Sequence, residues 1–310
     1  MIDAAIVGLG RWGRALQESV AQSSRIRFVR EIDVAQGTSL SDALADPAVK
    51  AVVLATPHSL HREQVIAAAQ ARKHVHCEKP LALNSADARA MIDACRRAGV
   101  CLAVGHNRRF WPAMRELKRI VAGGRLGQVL HIEGHNSNEH SNRVTGGWRM
   151  RPEESPGGGL TGAGLHVLDA FVLLAGPVRR AQAQLRTYEE GTPPLDALSV
   201  LYEFADGTSG MLATVRATPL YWRVHVFGTQ GSAEVLGETE LVLRMSGKQP
   251  ETVQLASTNS LRAELEAFAD AVENLAPYPV SDEQMLATVA AFEATVRSLE
   301  SGQPAATSPL

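Results

Sequence analysis

Short apolar runs alternate with amphipathic stretches from residue 2 to about residue 122. The intervening stretches have the spacing of surface helices. Strands that alternate with helices in this way build a parallel sheet, so we expect an α/β domain with a doubly wound parallel sheet. The runs that predict its five strands are AAIVGLG, IRFVREID, AVVLATP, KHVHCEKP and VCLAVGH.

The pattern changes at about Val129, where longer alternating strands begin. Asp206-Gly207 and Gln230-Gly231 predict hairpin turns, and helices are expected after a glycine cluster and at residues 261–275 and 282–300. These features favour an α+β domain with a large open antiparallel sheet. We therefore expect two domains, residues 1–122 and residues 123–310.

Composition narrows the range of partners. The net charge is -2, with 45% hydrophobic and 21% charged residues, so nothing indicates a nucleic-acid surface, and no run is long enough to span a membrane. The three cysteines form no CxxC pair, the histidines lack the further ligands of a zinc site, and the N-terminus lacks the features of a signal peptide. We expect a cytoplasmic protein without a metal that acts on a small molecule.

The segment GLGRWG follows the first strand and opens the first helix. In a GxGxxG fingerprint, Gly8 permits the tight turn, Gly10 lets the backbone approach a pyrophosphate, and Gly13 allows close packing. The phosphate charge then meets the helix N-terminus. We expect this segment, with Arg11 and Trp12, to bind NAD or NADP.

An acidic residue at the end of the second strand is expected to bind the adenosine ribose. Asp33 is the best candidate and Glu31 the second, although a solvated strand-end acid explains either residue nearly as well. Arg30 could instead meet a 2'-phosphate, so the sequence leaves NAD and NADP open.

Two further strands end in polar segments. ATPHSLH places Thr56, Pro57 and His61 at the carboxyl edge of the sheet, where such sheets bind ligands, although a capping or surface role is as good an explanation for the histidine. CEKP holds Lys79 in a turn between Glu78 and a proline. A lysine whose pKa is lowered can move a proton in catalysis, whereas a solvated lysine is the commoner case.

Six segments, in this order and spacing, resemble one known family. They are GLGRWG, ATPHSLH, KHVHCEKPLAL, GHNRRFWPAMRELKRIV, GGWRMRPEESPGGGLTGAGLHVLD and the closing AELEAFADAVEN with PVSDEQMLATVAAFEATVRS. The chain resembles the glucose-fructose oxidoreductase, inositol dehydrogenase and MocA group of NAD(P)-dependent oxidoreductases. The resemblance implies a Rossmann domain, a second α/β domain that commonly makes dimer or tetramer contacts, and hydride transfer to or from a secondary alcohol of a sugar or cyclitol.

The resemblance also implies residue roles. Lys79 matches the catalytic lysine of the family, and His166 matches its histidine at the substrate carbinol. The expected cofactor-binding residues are Gly8, Gly10, Arg11, Trp12, Gly13, Asp33, Thr56, Pro57, His61, Glu78, Lys79, Asn107 and Arg108. The expected substrate-binding residues are Lys79, Arg108, Trp148, Arg149, Gly162 and His166. Arg109 and Phe110 are expected to be structural.

One position departs from the family pattern. The family usually has an aspartate four residues before the histidine, and here that position is Gly162. We expect a substrate that is bulkier at the carbinol or that has its own carboxylate, such as a cyclic dihydrodiol or a sugar acid. A second hypothesis is a catalytically silent NAD(P)-binding regulator. Because the chain keeps both Lys79 and His166, the enzyme is favoured.

Overall fold

The computed structural model describes residues 1–33, 37–138, 147–148, 151–189 and 195–309. The strands of the described chain are β1 (Ile2–Val7), β2 (Ile26–Ile32), β3 (Ala51–Leu54), β4 (His74–Glu78), β5 (Leu102–Gly105), β6 (Val129–Ser137), β7 (Val178–Glu189), β8 (Leu195–Phe204), β9 (Ser209–Val215), β10 (Tyr221–Gly228), β11 (Gly231–Leu236), β12 (Glu240–Met245), β13 (Glu251–Gln254) and β14 (Ala305–Ala306). The α-helices are α1 (Arg11–Ser19), α2 (Leu40–Ala45), α3 (His61–Gln70), α4 (Ser85–Ala98), α5 (Pro112–Ala122), α6 (Leu165–Ala175), α7 (Ser260–Val272) and α8 (Asp282–Ser301).

The first compact unit comprises Met1–Phe110 and Asn259–Leu286. Its five strands are all parallel, in the order β2-β1-β3-β4-β5, which confirms the predicted sheet. Apolar side chains of the strands and of α1 pack with Leu265 and Phe268 of α7 in one buried cluster. The predicted α/β class therefore holds, and α7 completes the core of this unit.

The second compact unit comprises Trp111–Thr258 and Ala287–Leu310. Its nine strands lie in the order β13-β12-β11-β10-β6-β9-β8-β7-β14. The sheet is mainly antiparallel, as predicted, but β6 pairs with β9 in parallel. The chain reaches β9 from β6 through α6 and the β7–β8 hairpin, so it returns beside β6 in the same direction.

Alternate residues of the second sheet face opposite sides. Leu198, Val200 and Leu212 are buried, whereas Leu201 and Met211 on the same strands are 57% and 42% exposed. One face of the sheet is thus packed and the other is open. The homo-oligomer expected from the sequence stays a prediction.

The compact units differ from the predicted boundary after residue 122 in two places. Helix α5 belongs to the second unit, where the Ala113 N–H donates to the Glu238 carbonyl at 3.1 Å, and residues 259–286 belong to the first unit. An amphipathic pattern shows that a helix has an apolar face but does not show which sheet that face meets. The predicted boundary therefore placed α5 with the first domain and α7 with the second, the reverse of the compact units.

The turn between β1 and α1 depends on two glycines. Gly8 has φ +93°, and a Cβ atom there would lie 2.7 Å from the Ala55 carbonyl oxygen. A Cβ atom at Gly13 would collide with the Gly8 carbonyl oxygen, whereas one at Gly10 would meet nothing within 4 Å. Close backbone packing thus requires glycine at positions 8 and 13 but not at position 10.

We expect Gly13→Ala to lower the free energy of unfolding by about 1–3 kcal/mol, because the turn must move to admit a methyl group. Gly10→Ala is the matched control and should cost about 0.5 kcal/mol or less, since Gly10 precedes α1 with extended backbone and open space around it. Urea denaturation of the two variants and the wild type measures both values. If the two variants are equally stable, a methyl group at position 13 does not collide with the Gly8 carbonyl oxygen as expected.

Candidate active site

All five strands of the first sheet end beside predicted site residues, and Asp33 follows β2. The glycine turn follows β1, Thr56 and Pro57 follow β3, Lys79 follows β4, and Asn107 and Arg108 lie just beyond β5. Because parallel strands end at the same edge of a sheet, the topology brings these segments together at the carboxyl edge. This edge is where an open α/β sheet binds its ligands.

The helix N-terminus in the glycine turn is accessible. Gly10 is the N-cap of α1 and is exposed, and so is Arg11. The first N–H groups of a helix have no partner within the helix, so they are available to an anion. The Gly8 N–H donates to the Ile32 carbonyl at 2.8 Å, which ties this turn to the end of β2.

The residues expected at the adenosine end differ in their contacts. Asp33 follows β2 and is half-buried, and Thr38 contacts both its backbone N–H at 2.7 Å and its carbonyl at 3.1 Å. Glu31 accepts a short hydrogen bond from Gln17, and Arg30 pairs with Asp46 at 2.8 Å. Glu31, the second ribose candidate, and Arg30, the candidate for a 2'-phosphate, are thus both held by other side chains. The ribose contact of Asp33 stays a prediction.

His61 joins two of the turns at the sheet edge. Its ring is fully buried, with Nδ1 at 2.8 Å from the Pro80 carbonyl oxygen and Nε2 at 3.2 Å from the Thr56 carbonyl oxygen. Thr56 Oγ1 also donates to Gln64 at 2.6 Å. These contacts make His61 a bridge between the turns and give no support to the direct cofactor contact expected from the sequence.

Lys79 lies between two buried residues. Glu78 is 6% exposed and Pro80 is buried, whereas Lys79 itself is half-buried. The Lys79 N–H donates to Glu78 Oε2 at 3.3 Å, and the Lys79–Pro80 peptide bond is cis. The Lys79 backbone is thus tied to the buried Glu78 carboxyl at the end of β4.

Glu78 occupies a space that Gly105 leaves free. The two residues are partners in the β4–β5 register, and a Cβ atom at Gly105 would lie 2.7 Å from Glu78 Oε1. Burial, followed by the charge of Glu264, raises the pKa of Glu78 to about 7. Smaller effects of His76, Trp12 and Lys79 oppose that rise. The carboxyl group beside Lys79 therefore gains or loses its charge near neutral pH.

The segment after β5 contains the remaining predicted residues of this unit. Asn107 Nδ2 donates to Ser260 Oγ at 3.2 Å. Desolvation lowers the pKa of Arg108 to about 9, so Arg108 is still a cation at neutral pH. Arg109 donates to Gln284 Oε1 at 2.7 Å, and Phe110 is 2% exposed. These contacts and this burial agree with the structural role expected for Arg109 and Phe110.

The glycine cluster of the second unit packs closely on strands. Gly158 has φ +60°, and a Cβ atom there would lie 2.6 Å from Asp196 Oδ2. A Cβ atom at Gly159 would collide with Thr214 Oγ1. Asp196 is buried and pairs with Arg216, whose Nε donates to it at 2.7 Å. The loop therefore lies directly on β8 and β9, and only glycine permits that approach.

A π-helical turn, Leu160–Gly164, leads from this loop into α6. Such turns are frequent at functional sites. Asn136 Nδ2 donates to the Ala163 carbonyl at 2.8 Å, so β6 holds the turn in place. His166 follows on the first turn of α6 and is 8% exposed.

Gly162 lies one turn before His166 and is exposed. A Cβ atom at Gly162 would meet nothing within 4 Å, so this position has room for a larger residue. Asp169 is buried farther along α6. Trp148 is half-buried, and Arg149, the other predicted substrate residue of this segment, lies outside the described residues.

Sequence reasoning did not identify two parts of these surroundings. The first is Glu264 with His76, which lie beside Glu78, and the second is Asn136 with the Asp196–Arg216 pair. His76 and Glu78 are two residues apart on β4, so they lie on the same face of the strand. Glu264 lies among apolar residues of α7. Glu264, a charged residue on an apolar helix face, was the feature of the sequence that could have indicated this buried cluster.

The structure also bears on metals, thiols and membrane spans. Within the described residues, no three His, Cys, Asp or Glu side chains are placed to hold a metal ion. Across the same residues, every helix is too short or too polar to cross a bilayer. Cys77, Cys95 and Cys101 are free thiols. The cytoplasmic location stays a prediction.

Three relatives cover most of the chain. The 1,5-anhydro-D-fructose reductase of Ensifer adhaerens is 30% identical over 283 residues, which is 86% of this chain and 83% of that protein. The 2,7-anhydro-N-acetylneuraminate hydratase of Escherichia coli K12 is 29% identical over 270 residues, 80% and 71% of the two chains. The trans-1,2-dihydrobenzene-1,2-diol dehydrogenase of Bos taurus is 29% identical over 231 residues, 72% and 67% of the two chains.

A solved structure and two family models agree with these relatives. A protein of Desulfitobacterium hafniense, described provisionally as an NADPH-dependent oxidoreductase, superimposes with a TM-score of 0.88 at 26% identity, over 98% of this chain and 97% of that chain. The model of an oxidoreductase family with an NAD-binding Rossmann fold matches residues 3–106, and that of the GFO/IDH/MocA C-terminal domain matches residues 114–234. The chain belongs to the GFO/IDH/MocA family of NAD-binding oxidoreductases.

Proposed function

We propose that this oxidoreductase transfers a hydride between NAD(P) and a secondary alcohol of a cyclic carbohydrate or cyclic diol, and that Lys79 moves the hydroxyl proton. The position of Lys79 is the main support, because it follows β4 at the carboxyl edge and its backbone is anchored to buried Glu78. The relatives named for reduction of an anhydro sugar and oxidation of a cyclic diol support the same substrate class.

The residues at the edge of the first sheet fit a dinucleotide. The open space at Gly10 admits a phosphate group, and the N-terminus of α1 offers backbone N–H donors. Asp33 directly follows β2, the position from which an acid binds the ribose in folds of this type. We propose that these residues hold the cofactor, whose nicotinamide supplies hydride chemistry when bound.

The chain itself then has to orient the alcohol and move one proton. In alcohol oxidation, the neutral Lys79 Nζ takes the hydroxyl proton as the carbinol carbon loses its hydride, and in the reverse reaction the ammonium returns that proton. We propose that His166, which matches the family's histidine at the substrate carbinol, hydrogen-bonds the substrate and helps to orient it. The relatives described above have enzyme names, which favours turnover over a silent regulator.

Gly162 supports a narrower substrate class. No carboxylate stands at the position one turn before His166, and the space there is open. A substrate that is bulky at the carbinol, or that has its own carboxylate, meets neither steric nor electrostatic opposition from this position. One relative is named for an anhydro-neuraminate and another for a dihydrodiol, which are an acidic and a cyclic compound. We propose sugar acids and cyclic dihydrodiols as the first compounds to assay.

We expect Lys79→Ala to lower kcat by about 10²–10⁴-fold, because the group that moves the hydroxyl proton is lost. Fluorescence titration with NADH and NADPH should show nearly unchanged affinity, since the glycine turn is untouched. Lys50→Ala, an exposed lysine before β3, is the control and should retain wild-type rates. A Lys79→Ala enzyme with wild-type turnover would contradict the assignment, and a wild type that binds neither nucleotide would contradict the proposed function.

We expect Gly162→Asp to fold normally and to raise the KM of acidic substrates about tenfold or more, because it adds a like charge near the proposed carbinol site. Gly162→Asn has nearly the same shape without the charge and separates bulk from electrostatics. Steady-state rates with a neutral polyol and a sugar acid measure the effect. If both variants change the KM of the neutral polyol and the KM of the sugar acid by the same factor, charge at this position does not select the substrate.

A further inference from the structure

Three ionisable side chains are enclosed between β4 and α7 of the first unit. His76 and Glu264 are fully buried and Glu78 is 6% exposed. His76 Nε2 lies 3.7 Å from Glu264 Oε2, and the charge of Glu264 acts on Glu78. Glu78 of this cluster directly precedes Lys79 in the sequence. The proton transfer proposed above uses none of the three side chains.

The surroundings of the cluster are largely apolar. Phe268 packs edge-on against the His76 ring at a centroid distance of 5.8 Å, and Leu265 and Ala269 of the same helix belong to the buried core. Charge is costly in such a place, and two neighbouring carboxylates resist ionising together. The pair Glu78 and Glu264 therefore holds on to a proton more strongly than exposed carboxyl groups do.

The neighbouring charges leave that proton on Glu78. Burial lowers the pKa of His76 to about 4, so its ring is neutral at neutral pH. Burial raises the pKa of the Cys77 thiol, so Cys77 is neutral as well. His76, Trp12 and Lys79 lower the pKa of Glu78, but burial and Glu264 outweigh them. Glu78 therefore takes up its proton near pH 7.

The segment after β5 also packs against α7, and its ionisable residues are His106, Arg108 and Arg109. Arg109 is held by Gln284 and by the Pro279 carbonyl. Desolvation is the cause of the low pKa of Arg108, and this arginine does not figure among the causes acting on Glu78. The charge on Glu78 is therefore governed by burial and by Glu264.

We propose that Glu264 is a positioning residue that keeps a proton on Glu78, and that this proton prevents the Glu78 carboxyl from trapping the Lys79 side chain as an ammonium ion. The link to catalysis rests on the function proposed above for Lys79. A neutral carboxyl next to the lysine favours the free amine that accepts a proton from an alcohol, whereas an adjacent carboxylate favours the ammonium ion. Glu264 thus widens the pH range of alcohol oxidation toward the acid side.

Infrared difference spectroscopy of the full chain, without substrate or nucleotide, tests the first step. A buried protonated carboxyl group should titrate near pH 7 in the wild type and should be absent in Glu78→Gln. Glu264→Gln removes the neighbouring charge, so the titration should move to lower pH by about one unit or more. Glu264→Asp keeps the charge, so in this variant the buried carboxyl group should titrate near the wild-type pH. Glu266→Gln, on the same helix and bound to Ser23, is the control and should not shift it.

Acetic anhydride labelling of Lys79, read by mass spectrometry at pH 6.5, tests the second step. The other lysines, Lys50, Lys73, Lys118 and Lys248, are internal references. Lys79 should react more slowly in Glu264→Gln than in the wild type and at an unchanged rate in Glu266→Gln. With an active substrate, the acid limb of kcat/KM for oxidation should move to higher pH in Glu264→Gln alone.

An unshifted carboxyl titration in Glu264→Gln, or equal Lys79 labelling, would overturn the proposal. A titration missing from the wild type would overturn it too. Neither measurement depends on turnover, so both results stand even if Lys79 is dispensable for catalysis, which would instead refute the proposed function. Misfolding of Glu264→Gln would show in circular dichroism, and the Glu264→Asp and Glu78→Gln variants would then decide the question through the same two measurements.

Discussion

Burial of the Glu78 carboxyl at the end of β4 is the constraint on which the proposed site depends. Gly105 on the next strand provides the space for this group, and α7 closes over it with Glu264. The Lys79 N–H bonds to the same carboxyl, so the lysine backbone is fixed where the strand ends. A solvated lysine would have neither this anchor nor a neighbour whose charge changes near neutral pH.

Glycines serve different purposes in the two units. In the first unit, Gly8 and Gly13 let backbone segments touch, whereas the Cβ position of Gly10 is open. In the second unit, Gly158 and its neighbours let a loop lie directly on the strands, ahead of the π-helical turn that leads to His166. Of the two glycines in that turn, Gly162 has open space around its Cβ position, so a larger residue there would not disturb the packing.

Local patterns predicted both sheets, the glycine turn and the position of Lys79, because alternation and glycine spacing are properties of short segments. Partners distant in sequence could not be predicted in the same way. Glu264 meets β4 across nearly 190 residues, and the apolar pattern of α7 does not show which sheet it covers. For His61 the sequence left a cofactor contact and a capping or surface role open, and it could not show that both ring nitrogens face backbone carbonyls, because only the folded turns create those contacts.

Chemical rescue is the most direct test of Lys79 as the proton-transfer group. The half-buried side chain leaves a site that small amines can reach once it is removed. With Lys79→Ala, added primary amines should restore part of the oxidation rate, and the rescued rate should rise with the basicity of the amine. If amines of every basicity leave the variant inactive while the wild type works normally beside them, Lys79 does not move the hydroxyl proton and the account is wrong.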